Sequence, residues 1–240
     1  NDARSRNVIA LVLNPDFWEK NEWIVGTLAP AAKLVEAMQA NAANLAHVHF
    51  GLMAVEDKLD KITRSCPPGF QDDAFDLEQA WDQRMLYGHH PALCLAAVIN
   101  PNFRDKHGAL LPDQMRSAED LAARLASSNG QGDDSAAAQA RYEFHTLCSD
   151  GYMVKMNLSP SIFHPRLLRD PVTWWEWYGK KTPVLQQVAQ PVLSIPATSA
   201  GVERLFSVFK FIWSDRRNRL LMGRMWAMAY VYLNTRALKH

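Results

Sequence analysis

Glu203 and Arg204 stand together in the run Ser199-Ala200-Gly201-Val202-Glu203-Arg204-Leu205-Phe206-Ser207, where a carboxylate on a helix could ligate a divalent cation. One glutamate is a poor metal site by itself. Mg²⁺ takes one or two carboxylates together with substrate oxygens and keeps much of its water. Two-metal phosphoryl chemistry needs several oxygens around ions about 3.5 to 4 Å apart. Read from the residues alone, the pair is a solvent-facing pair on an amphipathic helix. Downstream, Arg216, Arg217 and Arg219 follow Asp215, with Lys210 one or two turns earlier. Guanidinium forks suit phosphate. The same charges suit a helix C-terminus, with Asp215 pairing one arginine, and both readings stand.

Trp174, Trp175, Trp177 and Tyr178 crowd into one short segment. Such rings can stack on unpaired bases, but tryptophans this dense more often anchor a loop onto a core, which is the expectation here. His47, His49, His89, His90 and Cys94 offer zinc-type donors. His47 and His49 are two apart and point to different sides of a helix, so no metal site is expected.

These residues must be positioned by helices. Ile24, Leu28, Ala31, Val35 and Met38 share one helical face, with Pro30 expected to kink it, and Leu45, Val48, Leu52, Val55, Leu59 and Ile62 form a second stripe that ends before Cys66-Pro67-Pro68-Gly69. Two packed antiparallel helices follow. Gln79 to Asn100 reads as helix divided by Gly88 and Pro91, Asn100-Pro101-Asn102 as a turn, and Asp113 to Ala126 as a short amphipathic helix. Ser127 to Ser135 reads as a surface loop, and Val8 to Leu13 is the best candidate strand in a chain otherwise predominantly α. Near the end, Val202, Leu205, Phe206, Phe209 and Ile212 make an apolar stripe opposite Glu203, Ser207, Lys210 and Ser214. Leu221, Met225, Met228, Tyr232 and Thr235, with Trp226 and Tyr230 beside them, give the last helix enough apolar surface to require a partner, which predicts self-association.

Composition narrows the classes. The 240 residues are 48% hydrophobic, enough for a real core, and a net charge of +1 excludes a diffuse electrostatic grip on nucleic acid, leaving only a local patch. Cys66, Cys94 and Cys148 are too scattered for a zinc or disulfide framework, which fits a reducing compartment. No apolar run approaches the roughly 18 to 20 residues that span a bilayer. The abrupt start at Asn1 reads as a trimmed fragment.

The order Trp174-Trp175-Glu176-Trp177-Tyr178-Gly179, then Leu193-Ser194-Ile195-Pro196-Ala197-Thr198-Ser199-Ala200 with Glu203-Arg204-Leu205-Phe206-Ser207, then Arg216-Arg217-Asn218-Arg219-Leu220, resembles the C-terminal region of hAT-superfamily DNA transposases. Phe17-Trp18 with Leu28-Ala29-Pro30, and His90 to Pro101, resemble upstream segments of the same family less specifically. Val202, and Met222-Gly223 after the basic turn, depart from the pattern as in a diverged copy.

The resemblance implies an RNase H-like catalytic domain interrupted by a helical insertion, with two catalytic aspartates ahead of Asn1 and the third acid at Glu203. The expected fold is mainly α: a helical insertion-like domain over 1–170 and a C-terminal dimerisation region over 171–240, without the sheet half. The implied function is dimerisation and DNA-end positioning in the nucleus, with no catalysis by this chain alone. It needs no cofactor, Mg²⁺ or Mn²⁺ entering only with a complete triad. Expected contacts are Arg204, Lys210, Arg216, Arg217 and Arg219 for DNA, and Leu221, Met225, Trp226, Met228 and Tyr232 for a second copy. One alternative is part of an active DDE transposase whose aspartates lie upstream. Another is a regulatory module that binds proteins and has no DNA role.

Overall fold

The structure, a computed structural model, describes residues 3–40, 42–129, 134–149, 159–212 and 221–237. It is mainly α. The helices are α1 (Ala3–Val12), α2 (Pro15–Met38), α3 (Leu45–Arg64), α4 (Gln71–Gly88), α5 (Pro91–Ile99), α6 (Pro112–Asn129), α7 (Asp134–Cys148), α8 (Pro171–Tyr178), α9 (Pro183–Ser194), α10 (Ala200–Ile212) and α11 (Met222–Ala237). Short 3₁₀ turns occupy Pro101–Ala109, Pro160–Phe163 and Gly179–Lys181. The described residues form no strand beyond an isolated bridge between Asn44 and Pro196.

One local rule starts three of the helices. A polar residue followed by proline caps the first turn, where the missing proline N–H costs nothing. Asn14 accepts from the Asp16 N–H at 3.0 Å, His90 through Nδ1 from Ala92 at 3.1 Å, and Asp170 from Val172 at 3.0 Å. Asn44 opens α3 in a capping box with His47. The expected division at Gly88 and Pro91 is present as the junction of α4 and α5.

Several expectations are corrected. Val8 to Leu13, the candidate strand, lies in α1 and the turn after it, since its β-branched residues have no second strand to pair with. α4 begins at Gln71, eight residues ahead of the expected start, and α6 runs on to Asn129, making helix of the first part of the expected loop, while Asp134 and Ser135 open α7. Residues 130–133 lie outside the described residues. Pro30, expected to kink α2, does not end that helix.

The stripe expected to be the core face of α2 is largely outside: Ile24, Leu28 and Val35 are exposed, and only Ala31 and Met38 are half-buried. α2 instead meets α3 and the start of α4 through Trp23, Thr27 and Leu34. Trp23 packs on Phe70 with ring centroids 5.3 Å apart, and Leu34 occupies the space a side chain at Gly51 would fill. The α3 stripe behaves as expected, with Val55 and Leu59 buried and its other members half-buried.

The main core is built around α5. Its residues from Leu93 to Ile99 are all buried, and Ala118, Ala122 and Ala126 of α6 and Ala140 of α7 let neighbouring backbones come close. Trp174 and Trp175 of α8 and Leu185, Val188 and Leu193 of α9 complete it, so core residues come from both sides of position 170. Glu143, 1% exposed, ties α7 to α9. One carboxylate oxygen accepts from the Leu185 N–H at 2.7 Å and the other from Gln139 Nε2 at 2.9 Å. It satisfies a donor of the α9 first turn that no residue of that helix reaches.

Burial lowers the pKa of His47, His49 and His107, with His89 adding to the effect at His49 and Arg104 at His107. A histidine with a depressed folded pKa binds its proton more readily in the unfolded chain. Its contribution is therefore fully present above the ordinary value of 6.5 and lost as pH falls below it. Urea midpoints are expected to drop between pH 7.5 and pH 5, and His49→Gln with His107→Gln to flatten that drop. Equal pH dependence in the double variant would assign it to other groups.

Candidate dimerisation surface

The tryptophan cluster divides by role. Trp175 is fully buried and its indole N–H donates to the Ile99 carbonyl at 2.8 Å, while Trp174 donates to Ile162 at 3.1 Å and stacks on Phe163. Tyr178 packs against Trp174, and Gly179 closes the motif because an added Cβ would lie 2.6 Å from the Trp175 ring. Trp177 alone is turned outward, 62% exposed. The pair Trp174-Trp175 is thus an anchor, as expected from the sequence.

Beyond this anchor, the segment after α9 is strapped onto the end of α2 and the loop that leads into α3. The Ala197 N–H donates to Ala43 at 3.0 Å, Thr198 Oγ1 to Met38 at 3.4 Å and Arg204 to the Gln39 carbonyl at 3.3 Å. This fixes the first turn of α10. There Glu203 is exposed and accepts from the Ser199 hydroxyl at 2.7 Å. Ser207 and Lys210 share its exposed face, as the spacing implied. Ser214, Asp215, Arg216, Arg217, Arg219 and Leu220 lie outside the described residues.

α10 and α11 pack into a small core of their own, burying Val208, Ile212, Met225 and Ala229, with Leu205, Phe209 and Tyr232 against it. This corrects the expected α10 stripe. Val208 replaces Val202 and Phe206 on the buried side because α11 covers only one face of a helix that is apolar on two. Met225 and Tyr232 face α10, and Trp226 packs edge-on against Phe209 at 4.8 Å while half its surface stays open.

What remains outside is large and apolar: Phe206 at 64%, Phe211 at 75%, Met228 at 43% and Tyr230 at 71% exposed, with Val202, Leu221, Met222 and Val231. Soluble surfaces rarely leave so many large apolar side chains together without a partner. Leu221 and Met228 were singled out from the sequence. Phe206 and Val202 were assigned to the seam, and Phe211 and Val231 were missed because they fall off the single stripe counted on each helix.

The histidines are dispersed. His47 caps α3 and packs on Phe103, and His90 caps α5. His89 Nε2 lies 3.9 Å from Cys94 Sγ and 3.1 Å from Gln114 Nε2, with the His49 ring 6.3 Å away. Among the described residues no three His, Cys, Asp or Glu side chains converge on a metal position. Burial pushes the Cys94 thiol up to about 11, which keeps it protonated and unreactive.

Residues 152–234, which contain the anchor, the strap, α10 and most of α11, match the model of the hAT family C-terminal dimerisation region. The likeness to the hAT family thus lies in the C-terminal part of the chain. No curated protein and no solved structure matches the chain. No helix of the described residues is long and apolar enough to cross a membrane.

Proposed function

We propose that this chain is the helical C-terminal part of a hAT-type transposase, or of a host protein derived from one. In this reading it joins two copies through α10 and α11 and positions DNA ends in the nucleus, and it does not catalyse strand transfer alone. The observation that carries the reading is the set of large apolar side chains left exposed on α10 and α11, within the region that resembles the hAT dimerisation region. Light scattering of the 240-residue chain at micromolar concentration tests it: a dimer is expected, and a monomer at every concentration rejects the joining role.

DNA contact is assigned to Arg204, Lys210, Arg216, Arg217 and Arg219. Replacing Arg216, Arg217 and Arg219 with alanine is expected to flatten the slope of log affinity against log salt by up to about 0.9 per lost phosphate contact. An unchanged slope removes the DNA role and leaves a protein-joining module.

Glu203 matches the family's third acid and would complete a metal site only beside two aspartates supplied upstream, where Mg²⁺ or Mn²⁺ would support strand transfer. In the isolated chain Glu203→Gln is expected to change stability by less than about 1 kcal/mol, because the residue is exposed and loses one surface hydrogen bond. Metal-dependent nicking by this chain, abolished by Glu203→Gln, would overturn the non-catalytic assignment.

A further inference from the structure

The α2 stripe that its spacing placed in the core is left largely uncovered. α2 has two apolar sides. Trp23, Thr27 and Leu34 face α3 and the start of α4, while Ile24, Val25, Leu28 and Val35 are exposed and lie roughly 140° round the helix at 3.6 residues per turn. Glu19, Glu22 and Lys33 are exposed on the arc left between the two sides. A helix whose charges are confined to one such arc is patterned to be covered twice.

The gaps of four, three, four and three along the outer side are those of a heptad. Asn21, Leu28 and Val35 fall at a, and Ile24, Ala31 and Met38 at d. Trp18 and Val25 flank this seam at e. Trp18 already donates its indole N–H to the Val12 carbonyl at 2.8 Å, so its ring, 54% exposed, is free to pack on an apolar neighbour.

The period describes the face, and Asn21 identifies what covers it. Asn21 is half-buried in an otherwise apolar row, and its side-chain amide makes no hydrogen bond among the described residues. A purely apolar partner would strip that amide of water and return no hydrogen bond. A second copy of α2 in parallel register returns an identical amide at the same level, the arrangement in which one asparagine at a fixes the register of a pair. At the exposures observed, the seam presents on the order of 600 Å² per copy, so a symmetric pair buries about 1,200 Å², the lower bound for a specific interface.

We propose that α2 is a second self-association surface, pairing in parallel with α2 of another copy of this chain. The area is minimal and an asparagine at a lowers stability, so the pairing sets in above the micromolar range in which the α10–α11 contact is read. With both surfaces engaged, dimers join into tetramers or longer assemblies. The pairing itself does not depend on α10 and α11.

The test uses the whole chain carrying Met228→Glu, which silences the α11 side. Sedimentation equilibrium is expected to show a monomer–dimer equilibrium as the concentration rises to about 1 mM. Adding Leu28→Glu should raise its dissociation constant at least about tenfold, because a carboxylate then lies in the seam. Circular dichroism should not change, since Leu28 is exposed in the single chain. Asn21→Cys is expected to give a disulfide-linked dimer on mild oxidation, because parallel a positions bring the two Cα atoms within disulfide range. Lys33→Cys, on the charged arc, should cross-link no more than the parent chain with its native cysteines. The proposal is overturned by a monomer at every concentration, by a Leu28→Glu chain that associates as well as its parent, or by equal cross-linking of Asn21→Cys and Lys33→Cys. Any of these leaves the α10–α11 reading standing, because that reading is tested at micromolar concentration in the chain without Met228→Glu.

Discussion

Met228→Glu is expected to raise the dissociation constant of the proposed dimer by at least about 30-fold, the equivalent of roughly 2 kcal/mol for loss of an anchoring side chain at an interface centre. The Met228 side chain is 43% exposed in the single chain and is not one of the residues that form the α10–α11 core. A carboxylate at this position costs the folded monomer little, but in the interface it would be buried without a partner. Sedimentation equilibrium should show monomer where the wild type is dimeric, with the urea midpoint of the monomer unchanged. Met225→Glu is a contrasting case. Met225 is buried against Val208 and Ile212, so its replacement should unfold the helical pair as well as dissociate it. If Met228→Glu leaves the association constant where it was, the side of α11 that carries Met228 is not the joining surface.

How much of this was legible in the sequence depended on whether a feature is local. Asn14-Pro15, His90-Pro91 and Asp170-Pro171 mark helix starts because the cap and the fixed proline φ act within one turn. The stripe of α3 is legible because that helix packs against α2, α4 and α5. The stripe of α2 has the same period, yet most of it faces outward. Periodicity shows that a face is apolar and says nothing of which neighbour covers it. The same ambiguity placed Phe206 in a seam where Val208 lies.

The candidate site was legible to different degrees. The Trp174 to Ser207 motifs identified the region, and the exposed Glu203 face follows from its spacing. The apolar face was only half visible, since Phe211 and Val231 depart from the counted stripes. The role of Glu143 was not visible at all. A glutamate 42 residues before the N–H it caps reaches that donor only once the helices are packed.

Trp175→Ala is expected to cost about 4 kcal/mol or more, the largest stability effect in the C-terminal region. Removing a fully buried tryptophan leaves a cavity worth roughly 3–5 kcal/mol. Here it also strips the Ile99 carbonyl, at the C-terminal end of α5, of its 2.8 Å donor. An orphaned buried carbonyl adds about 1–3 kcal/mol. Trp175→Phe separates the two contributions. It keeps most of the ring and loses the N–H, so its cost should fall between that of alanine and zero. Trp177→Ala, two residues away on the exposed side of α8, should cost less than about 1 kcal/mol. Urea unfolding followed by circular dichroism reads all three. Because α8 and α5 share one core, the Trp175→Ala transition should move as a whole, in the helices before position 170 as well as after it. Equal midpoints for Trp175→Ala and Trp177→Ala would mean that the anchor does not hold the hAT region onto the α5 core.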